Sequence, residues 1–593
     1  MTRTSDPQRL ITAPFLHQFA RIALAFALLP PLVSISHAQT TFTRITDGEI
    51  VNDDSVNDFG CAWGDYDRDG WIDLYVGTGS LVNPSNSLFR NLGNGEFEKI
   101  TDVLPATDET DSWGGVWGDY DNDGDLDLFL VNWKLDSVLS DERLYQNNGD
   151  GTFDRVLQGQ FLSESYASPA TWVDFNNDGF LDIFRPRGSS SSPAFAGMNV
   201  LYENTGDGAF LPHTNDIAFV DEVSRSRGAA WGDYDNDGDA DLYLLNSGSA
   251  QNVNRLFRND GDGVFTPIVG DHMGRAGFWS ISADWGDYDN DGNLDLFVGG
   301  SRTGDTNVLY RNLGDGTFQR IDQGIIVEDG SFNQNTADAS WADFDNDGLL
   351  DLVAVNTSTV GFQENFLYRN LGNGEFEAVQ NNIRTDGGLS WSCAWADYNN
   401  DGYMDLYVVN GGWNPEPNDP PAVTEHGNNF LYRNDGNGNH WLKLLLHGRQ
   451  ANRGGVGAKV RVKAVINGAE VWQMREVTGG TGISQDDMRP NFGLGDAEIA
   501  EIVSVEWPSG IIDEFQNVTA DQILEVSEAP MLLIESAIIL SWPGDAEGYV
   551  VEAASTVDGP WMPLGSAPTL VNGALTIAVP LVDIRRFFRL AMP

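Results

Sequence analysis

The residues best placed to do chemistry in this chain are aspartates. In Asp119-Tyr-Asp-Asn-Asp-Gly-Asp-Leu-Asp127, carboxylates stand at positions 1, 3, 5 and 9 of one tight loop, with Gly124 at position 6. Alternate residues of a turn can face a common centre, so the oxygens of positions 1, 3 and 5 can share an ion. The glycine permits the sharp bend, and position 7 offers its backbone carbonyl. Such an all-oxygen set suits a hard cation, and its ligand number suits Ca²⁺ better than Mg²⁺. The loop is not an EF-hand: position 12 is Leu130 where that motif has a bidentate Glu, and the flanks read as strands, not helices.

The loop occurs seven times, at spacings of 54 to 59 residues. Its ligand sets at positions 1, 3, 5 and 9 are Asp65, Asp67, Asp69 and Asp73; Asp119, Asp121, Asp123 and Asp127; Asp174, Asn176, Asp178 and Asp182; Asp233, Asp235, Asp237 and Asp241; Asp287, Asp289, Asp291 and Asp295; Asp343, Asp345, Asp347 and Asp351; and Asp397, Asn399, Asp401 and Asp405. Repetition in register rules out a chance acidic turn and predicts up to seven Ca²⁺ ions. Asn176 and Asn399 keep an oxygen but lose a charge, which predicts weaker sites there.

The formal charge of the 593-residue chain is -54. Five loops with four aspartates and two with three hold 26 carboxylates, so much of the acidity belongs to these sites. The remainder repels nucleic acid and anionic membranes. At the N-terminus, Arg3, Arg9 and Arg21 precede an apolar run over 22–33, and Ser36-His-Ala38 offers small residues for cleavage. The run is too short, and too broken by Pro30-Pro31, to span a bilayer. The expectation is a signal peptide over 1–38 and an exported protein: secreted, periplasmic or at the cell surface.

Each repeat around a loop offers four strands. The first ends in an Ala-Trp-like pair, as at Ala62-Trp63. The second follows the loop, as at Leu74-Tyr-Val76. The third is Leu-Tyr/Phe-Arg-Asn, as at Leu309-Tyr-Arg-Asn312. The fourth starts at Phe, as at Phe318-Gln-Arg-Ile321, after a Gly-Asn/Asp-Gly turn whose central pair is expected at positive φ. Four antiparallel strands per repeat, seven times over, predict an all-β chain with a seven-bladed β-propeller across 39–438. Repeat seven lacks the fourth strand, and Phe42-Thr-Arg-Ile45 supplies that pattern, so the strand at 42–46 is expected to complete blade seven. Trp63, Trp117, Trp172, Trp231, Trp285, Trp341 and Trp395 precede every loop by two residues; that symmetry points to a packing layer, not a sugar platform.

These loops and strands resemble the FG-GAP/VCBS repeats of integrin α-subunit propellers and of many exported bacterial proteins. The resemblance implies metal loops between the first and second strands of each blade, and partners docking on the opposite face. Residues 439–528 resemble the ASPIC/UnbV domain through Asn452-Arg-Gly-Gly-Val-Gly-Ala458, Arg475-Glu-Val477, Gly480-Thr-Gly-Ile-Ser-Gln485, Phe492-Gly-Leu-Gly495 and Trp507-Pro-Ser-Gly510. Together the two parts look like the cartilage acidic protein family and its bacterial relatives, which implies an extracellular calcium-binding protein without established enzymatic chemistry. Read from its residues alone, 439–528 is alternating β, and its glycines suit turns better than a phosphate cradle because no helix with a Lys follows them. Residues 529–593 read as a small β domain similar to fibronectin type III tails.

No catalytic or organic-cofactor residues are nominated. His213, His272, His426, His440 and His447 form no triad, and the repeated aspartates are committed to metal. The departures from symmetry are the better pointers to a ligand face: Trp413 and His426 in the long insertion 411–429 of repeat seven, with Trp133 and Trp279. The leading expectation is a non-enzymatic binding or adhesion module for an extracellular glycan or protein; the alternative is a polysaccharide lyase or glycan hydrolase. Finally, Cys61 and Cys393 occupy the same position of repeats one and seven, which are neighbours in a closed ring. A disulfide between them is expected across the closure, against the plainer reading of two small buried thiols.

Overall fold

The computed structural model describes residues 40–530, apart from 54–57, 80–85, 109, 111, 133–141, 157–160, 162–167, 187–198, 214–218, 220–225, 247–252, 262, 270–272, 274–279, 302–304, 329–334, 358–362, 387, 412–427 and 482, and the strands between 537 and 591. Residues 1–38 therefore lie outside the described part, as do Trp133, Trp279, Trp413 and His426.

The chain is all-β, and its first part is a propeller-like ring of four-stranded antiparallel sheets. Among the described residues six sheets follow one plan, an inner strand, the Asp loop, and three further strands in sequence order, and a seventh differs only in its last strand. In the second repeat these are Ser112–Gly118, Asp127–Asn132, Arg143–Asn147 and Phe153–Arg155. The outer hairpin turns bend at the glycines flanking the Asn or Asp. Gly93 and Gly95 take φ of 72° and 85°, and Asn94 between them accepts the Glu96 N–H on its side chain. In five turns this corrects the expected central pair, because an Asx interaction holds the middle residue and both left-handed positions fall to glycine, while Asn373 at 56° beside Gly374 at 77° keeps the expected pair.

In the seventh sheet, strands Ser390–Ala396, Asp405–Asn410 and Phe430–Asn434 are followed by Phe42–Ile45, antiparallel with Phe42 opposite Asn434. The ring is closed by a repeated contact. Each Trp before a loop is buried, and in six of seven its indole N–H donates to a backbone carbonyl of the preceding sheet. Trp63 makes that bond to Ala394 of the seventh sheet, at 3.4 Å. The tryptophans are joints between blades: their bodies fill the gap, and their one polar atom ties the neighbour's main chain.

The two cysteines correct an expectation. Both are buried free thiols. Cys61 packs with Ala394, Ala396 and Tyr407 at the joint between sheets seven and one. Cys393 packs with Val353, Val355 and Leu367 at the joint between sheets six and seven. Equivalent positions point the same way around a ring, so Cys393 turns its sulfur away from blade one. Titration of the unfolded, unreduced protein should find two free thiols.

Residues 439–528 form a second unit of two sheets. One joins Asn491–Gly495, His440–His447 and Gln522–Ser527; the other joins Ala469–Glu476, Lys459–Ile466, Ile499–Glu506 and Ile512–Thr519. Leu442, Leu444, Val460, Val462, Phe492, Val503, Val505 and Trp507 form its core. Beyond it, Ala537–Pro543, Ala574–Pro580 and Thr569–Val571 make one small sheet, and Met562–Pro563, Val550–Ala554 and Phe587–Ala591 another.

The second unit sits on the loop side of the ring and fills its axis. Inner strands turn an unpaired edge toward the centre, and residues 479 and 484–486 cap several of them. Ser484–Gln485 pairs in parallel with Asp58–Gly64. Gln485 bonds both backbone groups of Trp117, at 2.7 and 2.9 Å. Asp486 accepts the Trp395 N–H at 2.7 Å and the Ser340 hydroxyl at 2.5 Å, and Ser484 donates to Asp338 at 2.6 Å. Burial pushes Asp338 up to about 6 and Asp486 up to about 7, and raises Asp284 beside them. The adjacent Asp487 is paired with Arg489.

A carboxyl whose folded pKa exceeds its unfolded one favours the fold in acid, and this is lost as pH rises through the folded value. Stability from this cluster should thus decline as pH rises from the ordinary carboxylate range to about 7. With metal saturating, Asp486→Asn should flatten that decline and raise stability above pH 7 by on the order of 1–3 kcal/mol. Thermal melts across pH measure it; an unchanged pH slope would refute it.

Candidate metal centres

Each Asp loop is wound around its own carboxylates. In loop two, Asp119 accepts the N–H of Asp123 at 3.1 Å and of Gly124 at 2.8 Å, and Asp123 accepts the N–H of Asp125 at 2.9 Å. Position 4 is left-handed in every loop: Asn122, Asn177, Asn236, Asn290, Asn346 and Asn400 have φ between 53° and 60°, as does Arg68 at 57°. Position 6 is glycine at positive φ, as with Gly124 at 97°. Asn tolerates the first bend and Gly the second.

Position 9 anchors the loop to its blade. Asp127 is fully buried; it accepts the Tyr120 N–H on one oxygen at 3.1 Å and the Asn147 N–H of the third strand on the other at 2.8 Å. The Asn147 side chain then donates to the Tyr66 carbonyl of the preceding loop at 2.7 Å. The same three bonds recur at Asp73, Asp182, Asp241, Asp295, Asp351 and Asp405.

A second belt runs forward. The position-4 side chain of each loop donates to the carbonyl of the next loop's glycine: Asn122 to Gly179, Asn177 to Gly238, Asn236 to Gly292, Asn290 to Gly348, Asn346 to Gly402, Asn400 to Gly70 and Arg68 to Gly124. The seven loops form one closed hydrogen-bonded circle. Sequence reasoning assigned position 4 no role. Its signal was present, since Asn recurs there in six loops.

Carboxylates converge in five loops. Oxygens of Asp65, Asp67 and Asp73 lie within 4.8 Å of one another, as do those of Asp119, Asp121 and Asp127; Asp233, Asp235 and Asp241; Asp287, Asp289 and Asp291; and Asp343, Asp345 and Asp347. At position 3, Oδ1 of Asp235, Asp289 and Asp345 is buried without a hydrogen-bond partner. A buried carboxylate oxygen demands a donor or a cation, and here it faces other carboxylates, so a cation fits the donor set. Burial pushes Asp119 and Asp287 up to about 7 and Asp295 up to about 9; a bound cation would hold them ionised. Arg90, Arg311 and Arg369 of the third strands brace position 3 from outside, meeting Asp67, Asp289 and Asp345 at 2.7, 2.5 and 2.6 Å. In loops three and seven the Asn176 and Asn399 amides instead donate to Asp178 and Asp401, at 3.1 and 2.8 Å.

The second unit contacts these loops directly. Lys459 meets Asp233 at 2.7 Å and Lys443 meets Asp397 at 2.8 Å. The Arg453 N–H donates to Asn122 at 2.8 Å. Any side chain at Gly402 would strike the Trp441 ring. No helix among the described residues is long and apolar enough to cross a membrane.

A family model described as FG-GAP-like repeat matches residues 65–130, 136–184, 233–298, 287–354 and 343–408, and one described as ASPIC and UnbV matches 448–531. The chain is similar to cartilage acidic protein 1 of Homo sapiens, 24% identical over 562 residues that cover 86% of this chain and 77% of the relative. It is 23% identical to that of Mus musculus over 549 residues, covering 82% and 78%. A solved structure, the BP39L lectin from Burkholderia pseudomallei, aligns with 60% of this chain and 93% of its own at a TM-score of 0.40 and 10% identity, too distant a likeness to carry an argument.

The circle of loops makes a measurable claim. Asn290→Gly keeps the left-handed bend and deletes only the bond to Gly348, so it should cost about 1 kcal/mol. Asn290→Ala should cost about 1 kcal/mol more, for a Cβ in that conformation. Denaturant unfolding with metal present measures both; a Gly variant as stable as the parent would show the bond idle.

Proposed function

We propose that this chain, FG-GAP-like repeats capped by an ASPIC/UnbV domain, is an exported calcium-binding module that holds an extracellular glycan or protein without catalysis. The observation that carries the reading is the set of converging loop carboxylates with buried, unpartnered oxygens, placed under the chain's own second unit. A cation enclosed by loop oxygens, with a protein domain above it, has no open position for substrate. It is built to hold structure, as closed metal sites do. All-oxygen ligation and the flexible loop geometry favour Ca²⁺, and the loop count sets the upper limit at seven.

With the loop face occupied, the partner face is the opposite one, formed by connections between second and third strands and between blades. The longest, 411–429, carries Trp413 and His426; Trp133 lies in the corresponding connection of repeat two, and Trp279 in the connection between repeats four and five. Export rests on the leader-like residues 1–38 and suits calcium sites, because calcium outside cells is plentiful enough to fill weak ones.

Excess EDTA should lower the melting temperature of the purified protein, and millimolar Ca²⁺ should restore it. A melt indifferent to chelator would sink the structural role of metal. On a glycan and protein array, deletion of 416–425 should abolish binding while leaving the calcium-dependent melt intact. Retained binding with a collapsed melt would mean that the insertion is structural.

A further inference from the structure

We infer that the seventh loop is closed by the ammonium group of Lys443 in place of a metal ion, although its sequence matches the metal-loop pattern. The inference rests on reading the other loops as cation sites. Lys443 lies in strand His440–His447, hydrogen-bonded on both sides, so its place is set by a sheet. Its Nζ stands 2.8 Å from Asp397 Oδ2 and 3.7 Å from Asp487, and the Lys443 and Asp397 side chains are fully buried. A buried ammonium is stable only beside carboxylates, and its point charge with three donors suits a pocket lined by several oxygens.

Three loops separate the contributions. Loop three has Asn at position 3 and no lysine. Loop four has Lys459 on Asp233 but keeps all four aspartates, a converging cluster and the unpartnered Asp235 Oδ1. Loop seven combines lysine and Asn. There Asp397 Oδ1 accepts the Asp401 N–H, and Oδ2 accepts both the Gly402 N–H and Lys443. Asn399 turns its amide nitrogen toward Asp401 Oδ2 at 2.8 Å and accepts the Asp401 N–H on its oxygen at 3.2 Å. Reversed, it would set oxygen against oxygen. Asp405 has both oxygens engaged by backbone N–H groups. No ligand-position carboxylate oxygen of this loop is left buried without a partner, as in loops one to three, and what sets loop seven apart is Lys443 together with Asn399. A dication here would have to displace the amide and stand beside a fixed positive charge.

The position explains the use. Loop seven adjoins the point where the chain leaves the ring for the second unit: Tyr403, at position 7 of the loop, donates to the Asn439 carbonyl at 2.8 Å. A covalently supplied cation holds this joint whatever the metal supply.

Bound Ca²⁺ per chain, counted by equilibrium dialysis on the full protein, tests this. Asp401→Asn should leave the count unchanged, whereas the equivalent Asp123→Asn in loop two should lower it by one. A loss of one ion in Asp401→Asn would overturn the inference. No loss in Asp123→Asn would instead sink the reading of the loops as calcium sites. The double variant Lys443→Met, Asn399→Asp should gain one ion, and a folded double variant with an unchanged count would also overturn the proposal. Should it fail to fold, the Asp401→Asn comparison decides alone.

Discussion

A carboxylate taken out of water must be given donors or a counter-charge, and this chain buries one at the same place seven times. The position-9 aspartate meets that demand with two backbone N–H groups, one from the start of its own loop and one from the third strand. Loop shape and strand register are therefore set by one side chain. The Asn that supplies the strand N–H reaches the preceding loop with its amide, so blade-to-blade spacing follows from the same contact. Position 1 likewise accepts two backbone N–H groups, but at position 3 Oδ1 of Asp235, Asp289 and Asp345 is buried with no donor. These are the oxygens that a cation could satisfy.

Much of this was legible because a repeat makes its own alignment. Seven copies identify the positions that never change, and carboxylates at 1, 5 and 9 around a glycine, with Asp or Asn at 3, have one economical reading. The strand pattern Phe42-Thr-Arg-Ile45, met before the first repeat, matched the piece that the seventh lacked, and it pairs with Phe430–Asn434. Less legible were contacts whose partners are a whole repeat apart. Asn122 reads locally as a turn residue; its bond to Gly179 appears only once blades stand side by side. The cysteines misled for a related reason. Neighbouring blades are related by rotation, so equivalent side chains follow one another around the circle instead of meeting.

The axial segment was hidden for a different reason. Gly480-Thr-Gly-Ile-Ser-Gln485 carries no periodicity of its own, and its polar residues look like a solvated turn. They are polar because they answer the free edges of other strands: Gln485 completes Trp117, Asp486 completes Trp395, and the Gly479 carbonyl completes Trp172. Gly479 lies so close to the Trp172 main chain that a side chain would collide with it. Composition cannot distinguish a polar residue meant for water from one meant for a buried backbone group.

The division of labour between the two faces follows from symmetry. Elements repeated around a ring offer a partner near-identical contacts at every blade, which suits a large flat docking but fixes no orientation. The second unit escapes this by reading the differences between loops. It places Lys459 on the fourth, Lys443 on the seventh, and the Arg453 backbone on the second. Seating a domain on a near-symmetric ring in one orientation requires such unequal contacts, and the buried ionic ones are the most discriminating, because a wrong register would strand an ammonium without its carboxylate. The loop face is thereby committed to the chain itself. On the proposed reading, selectivity for a partner comes from the irregular connections on the other side, where the sequence departs most from its own repeat.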